Sequence, residues 1–525
     1  MRLRPNVGWF LAFTAVFAVL AGFVFWGTWS TSVAPVMPDC TTSHSPYWIP
    51  EWFGNWLTNG KCVPDDLKVF LGGPDFWQEL QYAFALYCAA LGMAYFCRGR
   101  GLSLPSCYGA GLLLAFCGYW ASLFSAGHLG WFRWMTYGVF GFGLCDRAVR
   151  KGKLKNWLLL GACVAWGSFY QPDLWLLFSV FTAVYFVHCC VREWKLPWKG
   201  ALIALATFAV VGMPSFRTAF MNDLAGRDKQ IEDLKGTSMT GGEKGREDGE
   251  ERWIFATNWS LPTAETLEFL VPRLNGDTSC PMTLALGARY GTGVKPYVGA
   301  LGRPKDAPSG NYRQHSLYVG WVTCLLALCG IVLGGRKCRF FAVAAVVFWV
   351  FSLGRNCEPV YRLVYALPFG DYLRAPVKWH HLTEFCLVVL AGFGIEGLMT
   401  RAARFGRFLP WAVVAFVLFG ACDLARVDRL YCAPVDMREA HRQNCGFQMT
   451  FLRRADFNNP QIAAMVQAKR IVPLANPNPE MFVVGVLQPW KRSTDPLPPF
   501  GLPAALGVLS LLASLGVALF AIRRL

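Results

Sequence analysis

The residues best suited to chemistry crowd into one segment, PVYRLVYALPFGDYLRAPVKWHHLTEF, which carries Arg362, Asp371, Arg374, Lys378, His380, His381 and Glu384 just before, and into, an apolar stretch. Guanidinium and ammonium groups at a membrane surface suit a lipid-linked phosphate or pyrophosphate. The competing reading is interfacial snorkelling with an Asp371–Arg374 pair. Glu384 falls roughly one turn inside the apolar stretch, so it needs His380 or His381 as a partner, or a proton. Asp39, held between Pro38 and Cys40 in VAPVMPDCTTSH, is placed to act as a general base on a hydroxyl or to bind a metal. His44, Glu51, Asp65, Asp66 and Asp75 follow it, and each acid also reads as a solvated carboxylate or a partner of Lys61 or Lys68. In SAGHLGWFRW, His128 and Arg133 together suit a phosphate, or an aromatic-belt position beside Trp131 and Trp134. Asp173 in FYQPDLW reads as a helix cap, and Asn258-Trp259-Ser260 matches a glycosylation sequon.

These residues need a scaffold, and composition says which. The 525 residues are 54% hydrophobic and only 16% charged, against about 25% charged in soluble domains. That excludes a single water-soluble globule, a disordered chain, a coiled coil and a small disulfide scaffold, and leaves an all-α polytopic membrane protein. About twelve apolar stretches are long enough to span hydrocarbon: 8–29, 76–97, 104–126, 130–145, 156–171, 173–190, 200–216, 315–333, 339–354, 380–399, 408–424 and 499–521. The first exceeds a signal-peptide core and is read as retained.

The net charge of +17 resolves along the same map. Alternate connectors, from Arg2 and Arg4 through Arg98, Arg100, the Arg147–Lys155 run, Arg192–Lys199, Arg336–Arg339 and Arg401–Arg407 to Arg523 and Arg524, hold twenty of the 50 Lys and Arg but only Asp146 and Glu193 of the 33 acids. The remainder nearly cancels. Such a bias in short loops places them, and both termini, in the cytoplasm, and removes any need for a nucleic-acid partner.

The opposite side carries the long segments 30–75, 217–314, 355–379 and 425–498. Within the second, Gly236–Glu251 lacks apolar periodicity and reads as a loop. The fourth holds a helical-looking FNNPQIAAMVQAKR and a strand-like MFVVGVL, hence a small α+β segment. The domain reading is therefore 1–424 for the multi-span body, 425–498 for the extracytoplasmic segment, and 499–525 for the last span and tail. Six of the 19 cysteines fall outside, and Cys40–Cys62 and Cys432–Cys445 are the simplest disulfide pairings, free thiols being the alternative. No P-loop, no GxGxxG after a strand and no His/Cys cluster suggests nucleotide, zinc or redox chemistry.

Three blocks of sequence carry a resemblance. LYCAALGMAYFCRGRGLSLPSCYGAGLLLAFCGYWASLFSAGHLGW, NWSLPTAETLEFLVPRLNG and VYRLVYALPFGDYLRAPVKWHHLTEFCLVVLAGFGIEGL resemble, in order, segments of the YfhO-like bacterial membrane proteins. That family is placed in or near the GT-C glycosyltransferase superfamily. The resemblance covers residues from about 76 to 400 in blocks and implicates Gly127, His128, Arg374, Pro376 and the acidic first outer loop. It implies a GT-C-like body in a bacterial inner membrane that moves a sugar from a polyprenyl-phosphate carrier to a glycan, lipid or protein acceptor on the outer face. Asp39 would be the base and Arg374, Lys378 and His128 would hold the phosphate, with Arg133, His380, His381 and Glu384 in the same substrate region. A divalent metal ion is left open as cofactor. The first outer loop departs from the family pattern, being short and without a clear paired-acid motif. The alternatives are a multi-span transporter or lipid flippase, which would need ionisable residues deep in several helices, and a non-catalytic scaffold.

Overall fold

The computed structural model describes residues 5–29, 74–126, 129–167, 172–215, 248–275, 316–367, 370, 373–431, 445–453, 458–468, 471–478, 481–489, 516 and 519. Asp39, Cys40, Cys62, His128, Asp371 and Cys432 lie outside them.

The body is helical: α1 (Pro5–Trp29), α2 (Pro74–Gly99), α3 (Leu104–Ala115), α4 (Gly118–Ala126), α5 (Leu129–Lys151), α6 (Leu154–Gly167), α7 (Pro172–Glu193) and α8 (Trp198–Ser215), then α9 (Asp248–Thr257), α10 (Trp321–Leu333), α11 (Arg339–Ser352), α12 (Glu358–Tyr365), α13 (His380–Phe405) and α14 (Leu409–Tyr431). Pro5, Pro74 and Pro172 each open a helix, where the missing N–H costs nothing. Arg98, Arg150, Lys151, Arg192 and Arg404 close helices, where a cation meets the carbonyl end of the dipole. Among the described residues four segments, Asn6–Phe25, Leu174–Glu193, Pro376–Phe405 and Leu409–Arg429, are long and apolar enough to cross a membrane. Val180, Val184, Val187 and Val191 form an exposed stripe along α7, a face that hydrocarbon covers without cost.

Helix α13 is the axis, buried almost without interruption from His380 to Ile395 and packed against α3, α10, α11 and α14. Its contact with α10 is backbone to backbone. A Cβ at Gly330 would sit 1.9 Å from the Leu390 carbonyl oxygen, and one at Gly394 1.9 Å from that of Leu326. Small residues permit this approach between helices in lipid.

Four expectations change. The stretch 104–126 is two helices, interrupted at Phe116 and Cys117, where the Gly118 N–H leaves the helix ladder and donates to the Tyr318 carbonyl at 2.8 Å. The segment 355–379 is no plain loop: α12 follows α11 at a bend of 113°. Residues 248–251 of the expected loop are the first turn of α9, with Glu251 buried. Helix α14 also runs past the boundary drawn at 424, because Leu424, Ala425 and Val427 keep an apolar face to the core.

Beyond it, β1 (Cys445–Arg453), α15 (Pro460–Gln467), β2 (Ile471–Asn478) and β3 (Met481–Pro489) form an antiparallel sheet of order β1-β3-β2 with one helix. Asn459 caps α15 through the Gln461 N–H.

At the basic end of the bundle, Asp146 is 1% exposed and binds Arg150, Arg192 and Arg100 at 2.6, 3.0 and 3.3 Å. Glu396 of α13 accepts from the Ser103 N–H and the Ser106 hydroxyl, each at 2.8 Å, tying the α2–α3 turn to the axis.

Gly394→Val should lower stability by about 2 kcal/mol or more through overpacking. Gly22→Ala, which meets nothing within 4 Å, should not. Thermal unfolding of the detergent-solubilised protein checks both.

Candidate active site

The non-basic end of the bundle is built on an i, i+3, i+4 pattern. His380, His381 and Glu384 open α13, so one carboxylate faces both imidazoles: His380 Nε2 lies 3.4 Å from Glu384 Oε1 and His381 Nδ1 3.4 Å from Oε2. All three side chains are fully buried. Both separations lie at the long end of polar contact distances. Aromatic rings close the rest of the space. His381 lies 4.3 Å from the Tyr119 ring and stacks on Trp120 at 4.4 Å, while Phe269 covers His380 at 4.3 Å. Asp428 of α14, buried and with no hydrogen bond to Oδ1 among the described residues, lies within electrostatic range of Glu384.

The turn that delivers α13 carries the cations. Ala375 adopts φ +61° and the Pro376–Trp379 turn follows it. The partner strand of chain is Ala256–Leu261, where Trp259 adopts φ +59°. The two strained stretches hold each other: the Ala375 N–H donates to Ala256 O and the Val377 N–H to Trp259 O, both at 3.1 Å. Arg374 lies 4.5 Å from the rings of both Phe255 and Trp259, a cation–π contact on each. Lys378 is 7% exposed. A third stretch locks in from α11, where the Arg355 N–H donates to Ser260 Oγ at 3.0 Å and Asn356 Nδ2 to Leu261 O at 2.8 Å. Gly354, at φ +51°, has no room for a Cβ, which would meet Ser260 Oγ and Pro376.

The residues singled out in the sequence are thus divided. His380, His381, Glu384, Lys378 and Arg374 come together. Arg362 does not: it pairs with Glu358 at 2.9 Å and lies over Trp253 on an exposed face. The basic cluster is accordingly not a lipid-facing surface, because Lys378 is turned inward and Arg374 is held between rings. Arg133 falls in the first turn of α5 and Cys445 opens β1. Asn258 of the sequon is buried, which removes it as a glycosylation acceptor in this fold. Among the described residues no three His, Cys, Asp or Glu side chains converge as metal ligands.

Sequence reasoning missed Asp428, Tyr119, Trp120, Phe255 and Phe269 as members of this site. It also missed Asp423, whose carboxylate accepts from the Tyr318 hydroxyl. An acid on the apolar face of an amphipathic helix was the available signal for Asp428. The aromatics had none, since 15% of the chain is aromatic.

No family model matches the chain, so its family resemblance rests on the motifs alone. No curated protein matches it either. Among solved structures it is similar to the crystal structure of ArnT from Cupriavidus metallidurans bound to undecaprenyl phosphate, at 14% identity and a TM-score of 0.27, over 91% of this chain and 98% of that one. At that score the likeness carries no argument about this protein.

Removing the buried carboxylate strands the two imidazoles that face it, at about 1–3 kcal/mol for each buried polar group left unsatisfied. Glu384→Ala should therefore destabilise the protein severely, whereas Glu358→Ala, from a pair 53% and 52% exposed, should cost about 0.5 kcal/mol or less. Parallel thermal melts separate the two.

Proposed function

We propose that this protein is a bacterial inner-membrane glycosyltransferase of the GT-C type, taking a sugar from a polyprenyl-phosphate carrier on the extracytoplasmic face. One observation carries the reading. The three sequence blocks that resemble the YfhO-like family converge on one spot: Tyr119 from the first lies against His380 and His381 of the third and Trp120 against His381, while Trp259 from the second meets Arg374 and accepts from the Val377 N–H. Resemblance alone does not require segments so far apart in sequence to touch.

The chemistry asked of such a site is deprotonation of an acceptor hydroxyl and stabilisation of a departing lipid phosphate. Arg374 and Lys378 supply positive charge where a departing phosphate would gather negative charge, and the aromatic seats of Arg374 fix its guanidinium in advance. The His380–His381–Glu384 group holds or passes a proton beside them. Asp39 remains the proposed base and His128 and Arg133 a further phosphate contact. The acceptor belongs with the 425–498 segment, read as extracytoplasmic.

The placement of charge favours this over a transporter. Glu384 is one turn from the start of α13 and Asp428 three residues from the end of α14, while neither Leu387–Ile395 between the polar ends nor α10 packed against it carries an acidic, basic or histidine side chain. A coupled transporter concentrates its ionisable residues near the midplane.

Native mass spectrometry of gently purified protein tests the donor site. The wild type should carry a polyprenyl-phosphate species that Arg374→Ala loses; ordinary phospholipids alone on both would overturn the reading. In membranes supplied with a labelled polyprenyl-phosphate sugar, Asp39→Asn and Arg374→Ala should each lower transfer by about 100-fold or more, as loss of a general base or of a charge-stabilising donor does. Full activity in both would sink the assignment.

A further inference from the structure

At the opposite, basic end of the bundle a cavity of about 360 Å³ opens between the first turns of α6 and α8. Its size falls within the range of small-ligand sites. Trp157, Trp198, Lys199 and Gly200 line it, with Leu154 and Ile203 on the side toward the apolar body of the helices. Gly200 brings the α8 backbone against the Trp157 ring, since a Cβ there would lie 2.2 Å from Cε2. The Lys199 ammonium is held 5.5 Å from the Trp198 ring.

We infer that this cavity is a binding site for the headgroup of an anionic phospholipid in the leaflet at the basic end. Charge complementarity selects that occupant. The two stretches that frame the cavity, Lys151–Trp157 and Trp194–Ile203, contain five lysines, Lys151, Lys153, Lys155, Lys195 and Lys199, all exposed, and no acid. Glu193, the nearest acid in the sequence, is committed to Arg192 at 2.9 Å. The apolar surroundings select a lipid over a soluble anion. Trp194 is 92% exposed, Leu196 and Trp198 are exposed beside it, and Leu154, Leu158, Leu202 and Leu205 are exposed on the two packed helices that lead away from the cavity. Indole rings at this level match the headgroup boundary, and the leucines offer acyl chains a surface. A phosphate seated by Lys199 thus has its chains on α6 and α8. Basic pockets between spanning helices take anionic headgroups in this manner. The site is at the other end of the bundle from the proposed active site and does not depend on it.

The test uses the full chain in nanodiscs of phosphatidylcholine, with phosphatidylglycerol titrated in and bound lipid counted by native mass spectrometry. The comparison is the double variant Lys153→Gln and Lys199→Gln, against a second double variant, Arg336→Gln and Lys337→Gln, in another exposed basic loop. The wild type should retain a phosphatidylglycerol adduct. The first variant should bind it about 25-fold more weakly, since each of the two lysines near the surface contributes roughly fivefold, and the second should match the wild type. Unchanged melting temperatures without added lipid confirm that both variants fold. Equal loss in both variants would reduce the effect to the general attraction of basic loops, and equal retention of phosphatidylcholine would remove headgroup selectivity. Displacement of the adduct by millimolar inorganic phosphate would identify a soluble-anion site. Each of these overturns the inference.

Discussion

A carboxylate that leaves water inside this bundle must find a partner or keep its proton, and the structure is arranged around that constraint. An isolated ion in hydrocarbon costs several kcal/mol, so ionisable groups occur where helices end and partners can be gathered. Asp146 is enclosed by Arg100, Arg150 and Arg192 at one end, and Glu384 by His380 and His381 at the other. Between these levels α13 and α10 are apolar enough to touch through glycine. The rigid axis that results fixes the distance between the two polar ends.

That axis also explains why strain gathers where it does. The α13 helix begins under a lid made from residues 255–269 and 352–357, and joining three chain segments over one helix start leaves little freedom in backbone direction. Trp259, Ala375 and Gly354 all take positive φ there. Each is held by neighbours: Trp259 and Ala375 through the paired hydrogen bonds of their stretches, and Gly354 by contact with Ser260 and Pro376. Strain over-determined in this way is common where side chains must be preorganised. Here it orients Arg374 and Lys378 before any ligand arrives.

The two ends then differ in kind. The basic end is saturated with arginine–carboxylate contacts and carries exposed lysines above lipid-facing leucines, which suits attachment to a charged leaflet. The other end buries histidines, acids and cations together with aromatic rings, which suits chemistry on an amphiphile whose polar part must enter the protein.

Composition and the alternation of basic loops determined that the chain is a helical membrane protein and roughly where its helices run, because hydrophobicity and charge act on each segment separately. The HHxxE spacing likewise announced that Glu384 needs a histidine partner, since helix geometry alone brings i, i+3 and i+4 together. The interruption at Phe116, the extension of α14 that carries Asp428 inward and the seats of Arg374 on Phe255 and Trp259 were decided only by tertiary structure. Each depends on contacts between residues more than a hundred positions apart, and a chain rich in aromatics gives no local sign of which ring will meet which cation. Lys378 shows the difference most plainly: its sequence neighbours describe a membrane-surface lysine, and tertiary packing leaves it buried.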